Sequence, residues 1–240
     1  MSDLVQRLDG LLDQFTSRLG RDPLFGAMLS GTIMREPLIG VYTEIWHCLR
    51  ETPHALRAAG QSIALYAGAE PRYSGEEYAR FKTPFYARLR AEFRHHTEEE
   101  TGHDDWMKSD LCALGVPAEV TERSQPGPAM TAYLALIRHA ARSRAPVGVW
   151  GQAYLLEGIA STFWPSVVRA MLSGARVPNI DAALSCIRGH LEADVEHRDE
   201  ARRRLAALEH PHDQEAILFN ARATIETWGE LSQDVLRAMR

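Results

Sequence analysis

The chain has 240 residues, is 45% hydrophobic and 25% charged, and carries a formal net charge of -5. That length buries a sizeable core, and an acidic balance with no extended basic stripe argues against a nucleic-acid partner, since Arg202-Arg203-Arg204 reads as a solvated helix face. No apolar run reaches the roughly 18 residues of a membrane span, no basic-then-apolar signal pattern opens the chain, and Cys48, Cys112 and Cys186 form no Cys-x2-Cys pair, so a cytoplasmic protein with reduced thiols and no membrane partner is expected.

Strand-like alternation is nearly absent, and 3.6-residue patterns broken by glycine and proline predict an all-α chain. The first helix is expected from Ser2 to Leu19, with Leu4, Leu8, Leu11, Leu12 and Phe15 as its apolar stripe and Gly20 as its stop. A loop over 21–35 follows. Pro37 opens a long helix carrying Tyr42, Glu44, Trp46 and His47, interrupted at Pro53 and ending near Gly68. Ser74-x2-Glu77 reads as a capping box starting a short helix. Thr83 as N-cap and Pro84 at the first helical position then begin a helix that lasts to Leu114, stopped by Gly115 and Pro117. Ser124 to Pro128 is a turn, and further helices are expected over 129–143, 148–163 with a restart at Pro165 to Leu172, 180–208 and 213–239. There is no internal repeat. The sum is about seven antiparallel helices in a single bundle domain, 1–240.

Chemistry concentrates where charged groups fall on apolar seams. His190-x3-Asp194-x2-His197 places three ionisable groups on one helix face, the face that also carries Ile187, Ala201 and Leu205. Buried ionisable groups must pair with one another or with a metal. On the helix opened by Pro84, Glu100 and His103 form a Glu-x2-His pair of the kind helical-bundle metalloproteins use, sharing a sector with His96, Met107 and Asp110, while Glu99 lies on the flank as a substitute. Glu157 sits alone on a face with Trp150, Ala153, Tyr154, Ser161 and Trp164. The pool is Glu100, His103, Glu157, His190, Asp194 and His197, and carboxylate with imidazole but no thiolate suits iron or manganese better than structural zinc. The plain alternative for each is a hydrogen-bonded core histidine or a glutamate paired with arginine. Glu44 and His47 form another helical pair within reach of the same seam.

Taken together, His96-x2-Glu99-Glu100-x-Gly102-His103-Asp104, then Glu157, then His190-x3-Asp194-x2-His197 resembles the heme-oxygenase-like di-iron oxidases, a branch of the superfamily that also holds thiaminase II and pyrroloquinoline-quinone synthase. The resemblance implies a seven-helix bundle and two irons, Fe(II) cycling with Fe(III), that activate dioxygen as co-substrate. It carries His103, Glu157, His190, Asp194 and His197 over as ligands. The remaining carboxylate is where this chain departs: many members place it seven residues before the first histidine, where His96 stands here, and others three before, at Glu100, so His96 is expected as a metal ligand, a proton relay or a group supporting the ligands. The implied activity is oxidation of a small amine- or carboxylate-bearing substrate, amino-acid-derived and belonging to natural-product metabolism, by N-oxygenation or oxidative C–C or C–H cleavage. Two other readings stand beside it: metal-free thiaminase- or quinone-synthase-like chemistry, whose thiaminase form needs a nucleophilic cysteine, and a non-catalytic bundle that binds a ligand, whose acids and histidines would close into salt bridges. Assembly stays open, with a homodimer through a helix face as one outcome.

Overall fold

The computed structural model describes residues 2–70 and 76–240, apart from the side chains of Glu76 and of residues 192–198. Among the described residues there are twelve α-helices and no strand, the all-α class the periodicity predicts. The elements are α1 (Asp3–Arg21), α2 (Pro23–Leu29), α3 (Arg35–Gly68), a 3-10 turn (Glu76–Lys82), α4 (Pro84–Glu100), α5 (His103–Ala113), α6 (Ala118–Arg123), α7 (Pro128–Arg142), α8 (Val149–Thr162), α9 (Trp164–Gly174), α10 (Ser185–Ala206), α11 (Pro211–Gly229) and α12 (Leu231–Ala238). None of them is long and apolar enough to cross a membrane. Ser74, the expected N-cap of the short helix, lies outside the described residues.

The long rod at the centre is α3, which packs against α4, α5 and α7, while α8 is flanked by α1, α10 and α11. Its 34 residues run through Pro53 without the interruption expected there. A proline removes one ladder hydrogen bond, but Ala55, Leu56 and Ala59 just beyond it are at most 1% exposed, and their burial holds the rod together. Gly60 lets α3 and α4 close on each other: a Cβ there would stand 3.3 Å from Phe93 Cβ.

Where more helices appear than the periodicity predicts, the cause is end chemistry. Asp22 accepts from Leu24 N and Phe25 N at 2.9 and 3.0 Å, with Pro23 at the first helical position, so the expected loop over 21–35 contains α2. The expected helix 84–114 is broken at Thr101 and Gly102. Thr101 is extended and Gly102 has φ +97, a left-handed conformation that glycine reaches without a Cβ penalty. The last helix is likewise divided, α11 ending at Gly229 before α12 begins.

Several buried acids in this fold are capping groups from a distance. Asp110, fully buried on α5, accepts from Ser185 N and Cys186 N at 3.0 Å each and so caps the start of α10. Glu44 accepts Gly127 N–H through both oxygens at 3.0 and 3.1 Å, and Asp234 accepts Ala129 N–H at 2.7 Å, which satisfies two of the donors at the start of α7. His47 Nε2 lies 3.0 Å from Ser124 Oγ. Glu44 and His47 therefore serve the α6–α7 connection and turn away from the seam they were weighed for. At the other end, Arg80 Nε donates to Asp213 Oδ2 at 2.9 Å with both side chains buried, pinning the 3-10 turn to α11.

Candidate metal centre

Three helices bring ionisable side chains to one point. Glu100 is the last residue of α4, His103 the first of α5, and His190 lies in the first half of α10. One ligand atom from each of Glu100, His103 and His190 lies within 4.8 Å of the others. Two bonds of about 2.1 Å each meeting at an ion span nearly that distance, so a small contraction closes the cluster. The break at Gly102 makes this possible. It takes His103 out of the register of α4, yet His103 Nδ1 remains 3.2 Å from Glu100 Oε2.

The second half of the cluster is built on α4 and α8. His96 is 6% and Glu157 8% exposed, and His96 Nε2 sits 3.1 Å from Glu157 Oε1. The same imidazole lies 3.5 Å from Glu99 Oε2 and 4.0 Å from Glu100 Oε1. Burial alone would lower the His96 pKa, but Glu157, Glu99 and Glu100 outweigh it and raise it to about 10, so this histidine is an imidazolium at neutral pH. Burial likewise pushes Glu100 up, while His103, His96 and His190 hold it below its usual value. Close as His96 is, neither oxygen of Glu157 receives a well-directed hydrogen bond, and His103 Nδ1 is also buried without one. The charge of Glu157 is balanced by the imidazolium beside it, while both of its oxygens stay open to a better-directed partner. Neither Glu100 nor Glu157 pairs with an arginine among the described residues.

Supporting contacts orient the imidazoles. His190 Nδ1 is 2.8 Å from the Cys186 carbonyl oxygen one turn back, so Nδ1 donates there and Nε2 is left as the ligand atom. Trp106 stacks on His103 with ring centroids 4.4 Å apart at 21°, and meets His190 edge-on at 6.0 Å. Gly189 makes room for it, since a Cβ there would come 2.7 Å from Trp106 Cζ3. Neither Trp106 nor Gly189 stands out in the sequence as functional. The available signal was position: Trp106 is one turn after His103, and Gly189 is a glycine inside a helix, where it costs about 1 kcal/mol relative to alanine.

Next to the cluster is a cavity of about 100 Å³, walled by Ile45, Leu49, Leu156, Ile187 and Trp164, with His96, Glu100, Glu157 and His190 at its polar end. No arginine or lysine lines it among the described residues. Trp150 is not in its wall; that ring lies 5.4 Å from His96 and 5.2 Å from Phe93 instead. Cys48 and Cys186 reach the cavity, but burial pushes the Cys48 thiol up to about 12 and Cys186 well above its ordinary value. Neither is a thiolate nucleophile. Of the remaining residues singled out in the sequence, Asp194 and His197 lie outside the described side chains. Ile187, Ala201 and Leu205 are 4%, 1% and 4% exposed.

The bundle has a heme-oxygenase-like all-α fold, as its likeness to solved structures shows. The chain belongs to the iron-containing redox enzyme family, whose model matches residues 60–229. Among solved structures it is similar to a domain of unknown function with a heme oxygenase-like fold from Shewanella denitrificans, at 18% identity and TM-score 0.80 over 100% of this chain and 94% of that one. A TenA homologue from Pseudomonas syringae pv. tomato aligns at 12% identity and TM-score 0.76, covering 98% and 93% of the two chains. A CADD-like protein of unknown function from Nostoc punctiforme aligns at 17% identity and TM-score 0.61, covering 98% of each. No curated protein matches the sequence.

Proposed function

We propose that this protein is a non-heme di-iron oxidase that uses dioxygen to oxidise a small amine- or carboxylate-bearing molecule. The observation that carries the reading is the convergence of Glu100, His103 and His190 from α4, α5 and α10, with the undirected carboxylate of Glu157 across the same space. Oxygen and imidazole donors without a thiolate fit iron. Glu100, His103 and His190 would hold one ion, and Glu157, with Asp194 and His197 from the sequence pattern, the other. When bound, iron supplies the one-electron chemistry that dioxygen needs to react with an organic substrate.

The protein's own groups have separate tasks. His190 is fixed as one tautomer by its bond to the Cys186 carbonyl, so its ligand atom needs no rearrangement. The His96 imidazolium neutralises Glu157 while no cation is present and holds a proton 3.1 Å from Glu157 Oε1, inside the cavity wall. With a cation held by Glu157, the charge on His96 would no longer be needed there, and its Nε2 proton would pass to solvent water. The apolar walls exclude water from the polar end and keep the substrate's reacting carbon or nitrogen against it.

The test is anaerobic titration with Fe(II), followed by exposure to oxygen. Binding of about two irons per chain, with oxygen uptake that depends on the loaded metal, is the expected result. No binding at millimolar Fe(II) would overturn the reading.

A further inference from the structure

A second hollow, about 510 Å³, lies on the outer side of the α3–α4 pair, lined by Arg57 on α3 and by Arg90 and Arg94 one turn apart on α4. All three arginines are exposed and none has an ion pair among the described residues. Glu98 is the one acid in the lining, at the end nearer the metal cluster. The hollow and the inner cavity share a single residue, Leu56, which is 1% exposed. On the inner side the same two helices present Thr52 and Ile45 from α3 and His96 and Glu100 from α4. Leu56 therefore stands between a cationic outer basin and an inner cavity with apolar walls.

We propose that the outer basin binds the anionic head of the substrate, and that the substrate is an amphipathic anion whose apolar arm passes Leu56 to the metal cluster. This names the substrate class of the site described above and rests on that reading. The division of charge argues for it. The inner cavity offers an anion no arginine or lysine among its described lining, and its imidazolium, His96, is already faced by Glu157, Glu99 and Glu100, whereas three guanidinium groups without an ion pair among the described residues line the hollow outside. Guanidinium forks suit phosphate or carboxylate oxygens. The spacing sets the arm's reach: Arg94 and Arg90 precede Glu100 on α4 by about 9 and 15 Å of helix rise. The atom that reacts is then the far end of the arm, roughly 10–15 Å from the anionic head.

The experiment uses the full-length metal-free protein, so that a failure of the oxidase reading leaves it readable. Calorimetric titration with octyl phosphate, octyltrimethylammonium and inorganic phosphate is compared across wild type, R57Q/R90Q/R94Q and two variants of Leu56, L56W and L56A, with helical circular dichroism and melting recorded for each. Octyl phosphate should bind one per chain, at least tenfold more tightly than either control. Its affinity should fall at least tenfold in the triple variant and in L56W, and rise in L56A. Equal affinity for the cationic and anionic octyl compounds overturns the proposal. So does an affinity that neither L56W nor L56A changes in a folded protein, and so does inorganic phosphate binding as tightly as octyl phosphate, which would mark a free-anion site with no arm.

Discussion

Replacing Gly189 by alanine perturbs the candidate metal centre without touching Glu100, His103 or His190. The added Cβ would come 2.7 Å from Trp106 Cζ3 and 3.1 Å from Cε3, whereas carbon atoms rest about 3.5–4.0 Å apart. The indole must therefore retreat by about 1 Å. The same ring is stacked on His103, and aromatic pairs of this kind are worth about 0.5–1.5 kcal/mol, or roughly 2- to 10-fold in an equilibrium constant. Because Trp106 is 41% exposed, it has room to move and the core is not disturbed. Alanine in place of a mid-helix glycine should meanwhile stabilise α10 by about 0.5–1 kcal/mol. G189A is accordingly expected to raise or hold the urea midpoint while weakening Fe(II) or Mn(II) binding by up to about tenfold, read by titration and by Trp106 emission, with W106F as background. If G189A binds metal as wild type does while the indole emission shifts, the stack on His103 plays no part in holding the site.

Other outcomes follow from the same structure. Glu157→Ala and His190→Ala should each abolish metal-dependent oxygen uptake with helicity unchanged, and wild-type uptake in either removes that residue from the site. His47 is buried and lies near Arg50, which lowers its pKa from 6.5 to about 4; the unfolded chain then takes up a proton that the folded one does not, so stability is full above pH 6.5 and falls as pH drops toward 4, by about 3 kcal/mol at most. Denaturation at pH 7 and 4.5 measures this, and H47Q should flatten the difference. Asp213→Ala strands the Arg80 charge in the core and should cost about 3–5 kcal/mol, or roughly 10 °C in Tm; adding Arg80→Met should recover much of it, and no recovery would show that the loss is not one of charge.

The fold class and the faces of the long helices were legible because burial imposes a period, as Leu4, Leu8, Leu12 and Phe15 show on α1. The cluster was legible for a related reason: Glu157 and His190 interrupt apolar patterns that have no other use for charge. Distant capping was not legible. Asp110, Glu44 and Asp234 satisfy helix ends far from them in sequence, and nothing in their local patterns separates such acids from ligands. Nor was the pairing of His96 with Glu157, which depends on how α4 and α8 meet. The helix break at Gly102 was hidden because a glycine inside a helical pattern reads as tolerated until its backbone is seen to be left-handed.

That left-handed joint also bears on how such centres vary from chain to chain. Two neighbouring donors that straddle a bend are no longer tied to the pitch of one rod, so an acid can migrate along the first segment and still face the imidazole that opens the second. A scan that demands a fixed interval between them will overlook kindred proteins in which the elbow, and not the interval, does the aiming.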